Sequence, residues 1–188
     1  MKKYLIAAAA TVAAVAVATP AAAEGLRLEV HGGWDNLSAN GDSSSGIVYG
    51  IGAGYDIAVS KKVEVGIDLS ADLSSADDCV NSVIALNDRV CIDAKRDLAA
   101  ALRLGYKVSD RGTVYALAGY TNARFRAAYT TPAGVTTADS ANADGLRLGA
   151  GYQHGFGEKA YGKVEYRYSN YEGDLSRHQV LFGVGMKF

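Results

Sequence analysis

The chain has 188 residues, enough for one domain, with 19 Lys+Arg against 20 Asp+Glu and a formal net charge of −1. That balance, without any basic stripe, argues against nucleic acid as a partner. Glycine is abundant at 22, proline scarce at 2 and tyrosine reaches 12, a mixture that suits regularly paired strands better than helices.

The first 23 residues read as an export leader. Met1, Lys2 and Lys3 make a basic start and Tyr4 to Pro20 an alanine-rich apolar run. Ala21, Ala22 and Ala23 then give the small-residue pattern of a signal-peptidase site. Cleavage is expected after Ala23, leaving residues 24–188 as the folded domain. A membrane anchor is the alternative, because the run is nearly long enough to span ~30 Å of hydrocarbon. Losing Lys2 and Lys3 leaves 17 Lys+Arg against the 20 acids, so the mature chain is slightly acidic. No later apolar run is long enough for a membrane-spanning helix.

The rest of the chain is a succession of segments with period two. Leu26 to His31 alternates apolar with charged residues. From Ile47 to Val59, Ile47, Tyr49, Ile51, Ala53, Tyr55 and Ile57 share one face, and Gly50, Gly52, Gly54 and Asp56 the other. Val63 to Leu73 sets Val63, Val65, Ile67 and Leu69 against Glu64, Gly66, Asp68 and Ser70. From Asp97 to Val108, Leu98, Leu102, Leu104 and Tyr106 oppose Asp97, Arg103, Gly105 and Lys107. Thr113 to Phe125 leaves its face open: either Tyr115 and Leu117 are on the apolar side, or Val114, Ala116 and Ala118 are. Leu146 to His154, Ala160 to Tyr171 and His178 to Phe188 alternate clearly again.

Eight segments joined by links of alternating length suggest an up-and-down arrangement. Tight turns fall at Ser60–Lys62, Ser109–Gly112 and Gly155–Lys159. Longer polar links fall at Ser38–Ser45, Ser74–Lys95, Arg126–Asp144 and Glu172–Arg177. Short turns at one end and long loops at the other are the layout of outer-membrane barrels. The fold class expected is all-β: an eight-stranded antiparallel up-and-down transmembrane β-barrel.

Alternation alone does not say which face is inside; volume decides it. At roughly four or five large apolar side chains per strand, eight strands carry about 35, too many for the interior of so small a barrel. With glycines and charges inside and the apolar face on lipid, both surfaces fit. An open edge in hydrocarbon would leave backbone groups unpaired, so the last strand must pair with the first. Aromatic residues then fall in two girdles. Trp34, Tyr49 and Tyr168 lie toward the outer interface, and Tyr55, Tyr106, Tyr115, Tyr152 and Phe188 toward the periplasmic one.

These features resemble the small opacity-protein/OmpA-like outer-membrane barrels of Gram-negative bacteria, over the whole mature chain. The terminal run Val180 to Phe188 looks like the signal that the barrel-assembly machinery reads, carried by Phe182, Val184, Met186 and Phe188. No periplasmic domain follows Phe188, so the resemblance is to barrel-only members. It implies localisation in the outer membrane and a monomeric barrel, with outer-membrane lipid and lipopolysaccharide as surroundings. Relatives use their outer loops on host surfaces, which makes a surface receptor a further partner.

The inward face carries Arg27, Glu29, Glu64, Asp68, Asp97, Arg103, Lys107, Arg147, Lys163, Glu165 and Arg167. Unpaired charge in a narrow lumen is very costly. A salt-bridge network is therefore expected, with Arg103, Arg147 and Arg167 reaching Glu29, Glu64, Asp68 and Glu165, and Arg27 sharing the lumen. It would plug the barrel; a narrow, low-conductance pore is the alternative. In an oxidising compartment Cys79 and Cys91 are expected to form a disulfide worth about 2–3 kcal/mol. Ser176 and His178 are a weak hint of lipid-modifying chemistry, and no enzyme is expected. Asp72, Asp77 and Asp78 read as a solvated acidic loop. No metal or cofactor site is expected.

Overall fold

In the computed structural model, residues 25–39, 42–82, 86–173 and 175–188 are described, and among them nine strands form. They are β1 (Leu26–Ala39), β2 (Asp42–Ala58), β3 (Val63–Ser74), β4 (Asp77–Asn81) and β5 (Arg89–Lys107). Then follow β6 (Gly112–Thr130), β7 (Thr136–Phe156), β8 (Ala160–Tyr171) and β9 (Leu175–Lys187). The expected leader and its cleavage site lie outside the described residues.

Every neighbour is antiparallel, in the order β3-β2-β1-β9-β8-β7-β6-β5-β4, and an additional β3–β5 pairing closes the ring. β4 takes no place in it. It is a short flap on the outer part of β5, so the barrel itself has eight strands. Closure leaves no sheet edge within the barrel wall, which is what hydrocarbon demands of a backbone.

Alternation dictates the two faces. On β3, Val65, Ile67 and Leu69 are exposed while Glu64 and Asp68 are buried. The pattern recurs around the ring: Ile51, Leu102, Leu148 and Phe182 point out, and Glu29, Arg103, Arg147 and Gln179 point in. This inverts a soluble protein, and the apolar outer band is stable only against lipid.

β6 settles the open choice of face. Thr113, Tyr115, Leu117 and Thr121 are buried, and Val114 and Tyr120 are exposed. Tyr115 is therefore not a girdle residue. It is 5% exposed and belongs to the lumen.

The outer links are more ordered than expected. β1 and β2 run into the stretch Ser38–Ser45, the stretch Ser74–Lys95 holds β4 and the start of β5, and β9 begins at Leu175 rather than after Arg177. Ser74 to Lys95 is thus a hairpin, with Cys79 and Cys91 directly opposite each other and disulfide-bonded. The stretch Arg126–Asp144 continues β6 and β7 to a turn at Thr131–Val135, where Gly134 adopts a φ of 81°. Apolar alternation marks where lipid touches a strand; pairing continues beyond it, in water, with Thr, Ala and Asp side chains.

β8 last pairs with β7 at Tyr171–Gly145, so residues 136–144 of β7 pair only with β6. β4 and the outer parts of β5, β6 and β7 therefore stand above the rim as a four-stranded ribbon. At its base the β5–β6 register shifts between Ala94 and Arg96, a bulge that sets the ribbon's angle on the barrel.

Candidate functional site

The lumen holds two charge clusters, with buried tyrosines bonded to them. Toward the end that carries the short turns, Arg27 donates to Asp56 at 2.6 Å and to Asp68 at 3.1 Å. Arg103 donates to Asp56 at 2.8 Å and to the Gln153 side-chain oxygen at 3.1 Å. Glu64 lies 4.0 Å from Arg103 and 3.9 Å from Lys107. Arg27, Arg103 and Lys107 thus face Asp56, Asp68 and Glu64 in equal number.

The outer cluster is larger. Lys163 sits between Glu29 at 2.5 Å and Glu165 at 3.1 Å, and Arg167 bridges Glu165 to Asp72, the latter at 3.0 Å. Arg147 reaches Asp97 at 2.5 Å and Asp72 at 3.5 Å. Arg177 spans Asp35 at 2.5 Å and Asp97 at 2.9 Å. Asp97 also accepts hydrogen bonds from the hydroxyls of Thr121 and Tyr171. His31 lies between Asp72 at 2.6 Å and Glu29 at 3.3 Å.

Tyr115 links the two clusters. Its hydroxyl donates to Glu165 at 2.6 Å while its ring lies 4.0 Å from the Arg103 guanidinium. Tyr161 donates to Glu29 at 2.9 Å from the neighbouring inner face. Such a chain of charge-assisted bonds leaves each buried ion with counter-charge, the condition under which ions tolerate burial.

The recurring glycines explain how long side chains fit. A Cβ on Gly54 would come within 2.4 Å of Arg27 Nη2, and one on Gly52 within 2.7 Å of Glu29 Oε1. On Gly151 it would meet the Tyr115 hydroxyl at 2.5 Å. Glycine on one strand is the space that an arginine, glutamate or tyrosine on the next strand occupies.

All eight residues expected for the lumen network face inward and are buried. Their partners differ in part. Arg167 reaches Glu165 and Arg103 approaches Glu64, but Arg147 turns to Asp72 and Asp97, Arg27 takes Asp68, and Glu29 is held by Lys163. Asp72 is no loop residue: it is 1% exposed at the centre of the outer cluster. Arg177 is likewise a lumen residue on β9 rather than part of a loop. With Asp35 these are the members that apolar alternation does not single out.

Residues 7–188 match the family model described as an outer membrane protein beta-barrel domain. The chain belongs to this outer-membrane barrel family. Among solved structures it is similar to Ail, the attachment invasion locus protein of Yersinia pestis, solved in complex with the heparin analogue sucrose octasulfate. Identity is 14%, over 88% of this chain and 99% of that one, with a TM-score of 0.60. It is also similar to Neisserial surface protein A, at 15% identity over 87% of this chain and 97% of that one, with a TM-score of 0.57. Likeness at this identity is a likeness of fold. No curated protein matches the chain.

On the outer face of this outer-membrane barrel, Trp34, Tyr49, Tyr55, Tyr106, Tyr152 and Phe188 are exposed, and Tyr168 points outward, half-buried against His178. Tyr120, 51% exposed, stands outside where Tyr115 does not. Phe182, Val184, Met186 and Phe188 all face outward at the end of the chain. His178 is on the same face, its Nδ1 2.6 Å from the Tyr166 hydroxyl. Among the described residues its side chain makes that hydrogen bond and none to Ser176.

Proposed function

We propose that this outer-membrane barrel is an exported, monomeric, non-conducting protein whose lumen is a structural plug and whose role lies at the cell surface. The leader, residues 1–23, directs export and is removed after Ala23. The barrel-assembly machinery reads the outward-facing side chains of β9. Outer-membrane lipid, with its lipopolysaccharide, is the solvent of the apolar band. The network from Arg27 to Arg177 carries this reading, because side chains paired across the lumen occupy the path that ions would take. In planar bilayers the wild-type protein is expected to give no large steady pores. Steady conductance would reject the plug and favour a pore.

Surface attachment is the reading of that role favoured by the ribbon. A disulfide-stapled sheet standing above the rim presents a fixed surface to another cell, and the similar Ail is named for attachment and invasion. Shortening the β6–β7 hairpin in register, by equal numbers of residues on each side of Gly134, should reduce binding of expressing cells to host cells. Unchanged binding would leave envelope integrity as the role.

A further inference from the structure

The outer face of the barrel changes character abruptly along one row of cross-strand neighbours. Tyr49 of β2 pairs with Leu73 of β3, Leu73 with Arg96 of β5, and Arg96 with Arg124 of β6. The row begins as the outer girdle, with Tyr49 and Leu73 exposed, and ends in two arginines side by side. Arg126, two residues further along β6, points the same way.

Two like charges directly opposite on antiparallel strands destabilise the pair, since their Cβ atoms are only ~5 Å apart. Local carboxylates do not relieve this. Asp93 faces Arg126 but is held by Lys95 at 3.2 Å. Asp144 is held by Tyr120 at 2.5 Å and Asn122 at 2.5 Å. Among the described residues, Arg96, Arg124 and Arg126 take part in no ion pair or side-chain hydrogen bond. In the lumen, by contrast, every arginine has a carboxylate.

The height of the pair suggests its counter-ion. Arg96 lies two residues beyond lipid-facing Leu98 on β5. At ~3.4 Å per residue and a tilt of ~40°, that is about 5 Å above it, at the boundary between acyl chains and headgroups. We propose that Arg96 and Arg124, flanked by Arg126, bind the phosphate of an anionic lipid headgroup in the outer leaflet, its acyl chains lying along Leu98, Leu73 and Tyr120. Two guanidinium forks side by side suit a phosphate better than a lone lysine would. The site rests on the reading of the chain as a barrel with its apolar band in lipid. Failure of that reading would appear as failure to insert at all, whereas failure of the site leaves insertion intact.

The test uses the full mature barrel in phosphatidylcholine nanodiscs with or without diphosphoryl lipid A, extracted into detergent and read by native mass spectrometry. Wild type should retain lipid A, and Arg96→Gln/Arg124→Gln should hold it roughly tenfold more weakly or worse. Lys61→Gln/Lys62→Gln, which removes the same charge from a turn at the other interface, should retain it as wild type does. A second readout carries a distinctive sign. Without anionic lipid, Arg124→Gln alone should unfold no earlier than wild type in urea, because it removes the like-charge pair; with lipid A it should lose the stabilisation that wild type gains. Equal retention by wild type and the arginine variant would overturn the site. So would an equal loss in the lysine variant, or displacement of lipid A from wild type by inorganic pyrophosphate at comparable concentration.

Discussion

The lumen and the ribbon are made by the same strands under opposite rules. On β5, Asp97 is buried and accepts from Arg147, Arg177, Thr121 and Tyr171, while one residue outward Arg96 points away with no partner among the described residues. Inside, burial strips a charge of most of its solvent screening, so an ion without a partner is very costly. Outside, water and headgroups solvate it, and a charge can be kept for something other than stability. Pairing or its absence thus separates the part of the molecule that holds it together from the part that meets its surroundings.

The sharpest way to break this contrast is to remove a shared acceptor. Asp97→Ala strips Arg147 and Arg177 of a common carboxylate and should lower stability by about 3–5 kcal/mol, measured by urea unfolding in detergent micelles. A cost under about 1 kcal/mol would mean that the lumen behaves like a solvated surface. Gly151→Val pushes a side chain into the Tyr115 hydroxyl and should cost about 1–3 kcal/mol by the same measurement. Tyr115→Phe keeps the ring on Arg103 but removes the donor to Glu165, for about 1–2 kcal/mol. A tyrosine on the lipid face would show almost no effect.

The smallest global effect belongs to the ribbon. Cys79→Ser/Cys91→Ser opens a staple lying outside the closed ring. Hydrogen exchange should quicken over residues 77–81 and 89–93, while the shift in gel migration between the folded and boiled protein stays as in wild type. Loss of that shift would place the ribbon inside the cooperative unit of the barrel.

The closed eight-stranded ring was legible in the sequence because lipid imposes an apolar period of two that nothing else in the chain mimics. What escaped lies where that period fades. Asp35, Asp72 and Arg177 sit near the outer rim, where the alternating apolar partners give way to Ser, Asn and Ala, so Asp72 and Arg177 read as loop, and Asp35 as neither strand nor loop, although their strands continue. Tyr115 is ambiguous because β6 carries small or apolar residues on both faces. Its cross-strand neighbour on β7 holds the missing signal: Gly151 makes room for an inward ring, as Gly105 on the other side makes room for inward Glu64. The charges of the network were visible as inward-facing residues, but their pairing was not, because a guanidinium spans several positions and chooses among carboxylates by height in the barrel.

Trp34 offers the most direct test of which face meets lipid, since it is the single tryptophan of the chain and lies 68% exposed on the outer face. In vesicles containing lipids brominated along the acyl chain, its fluorescence should be strongly quenched, most by bromines near the headgroup, and little affected by aqueous acrylamide. Ready quenching by acrylamide with no response to brominated lipid would put that face in water and overturn the inverted barrel.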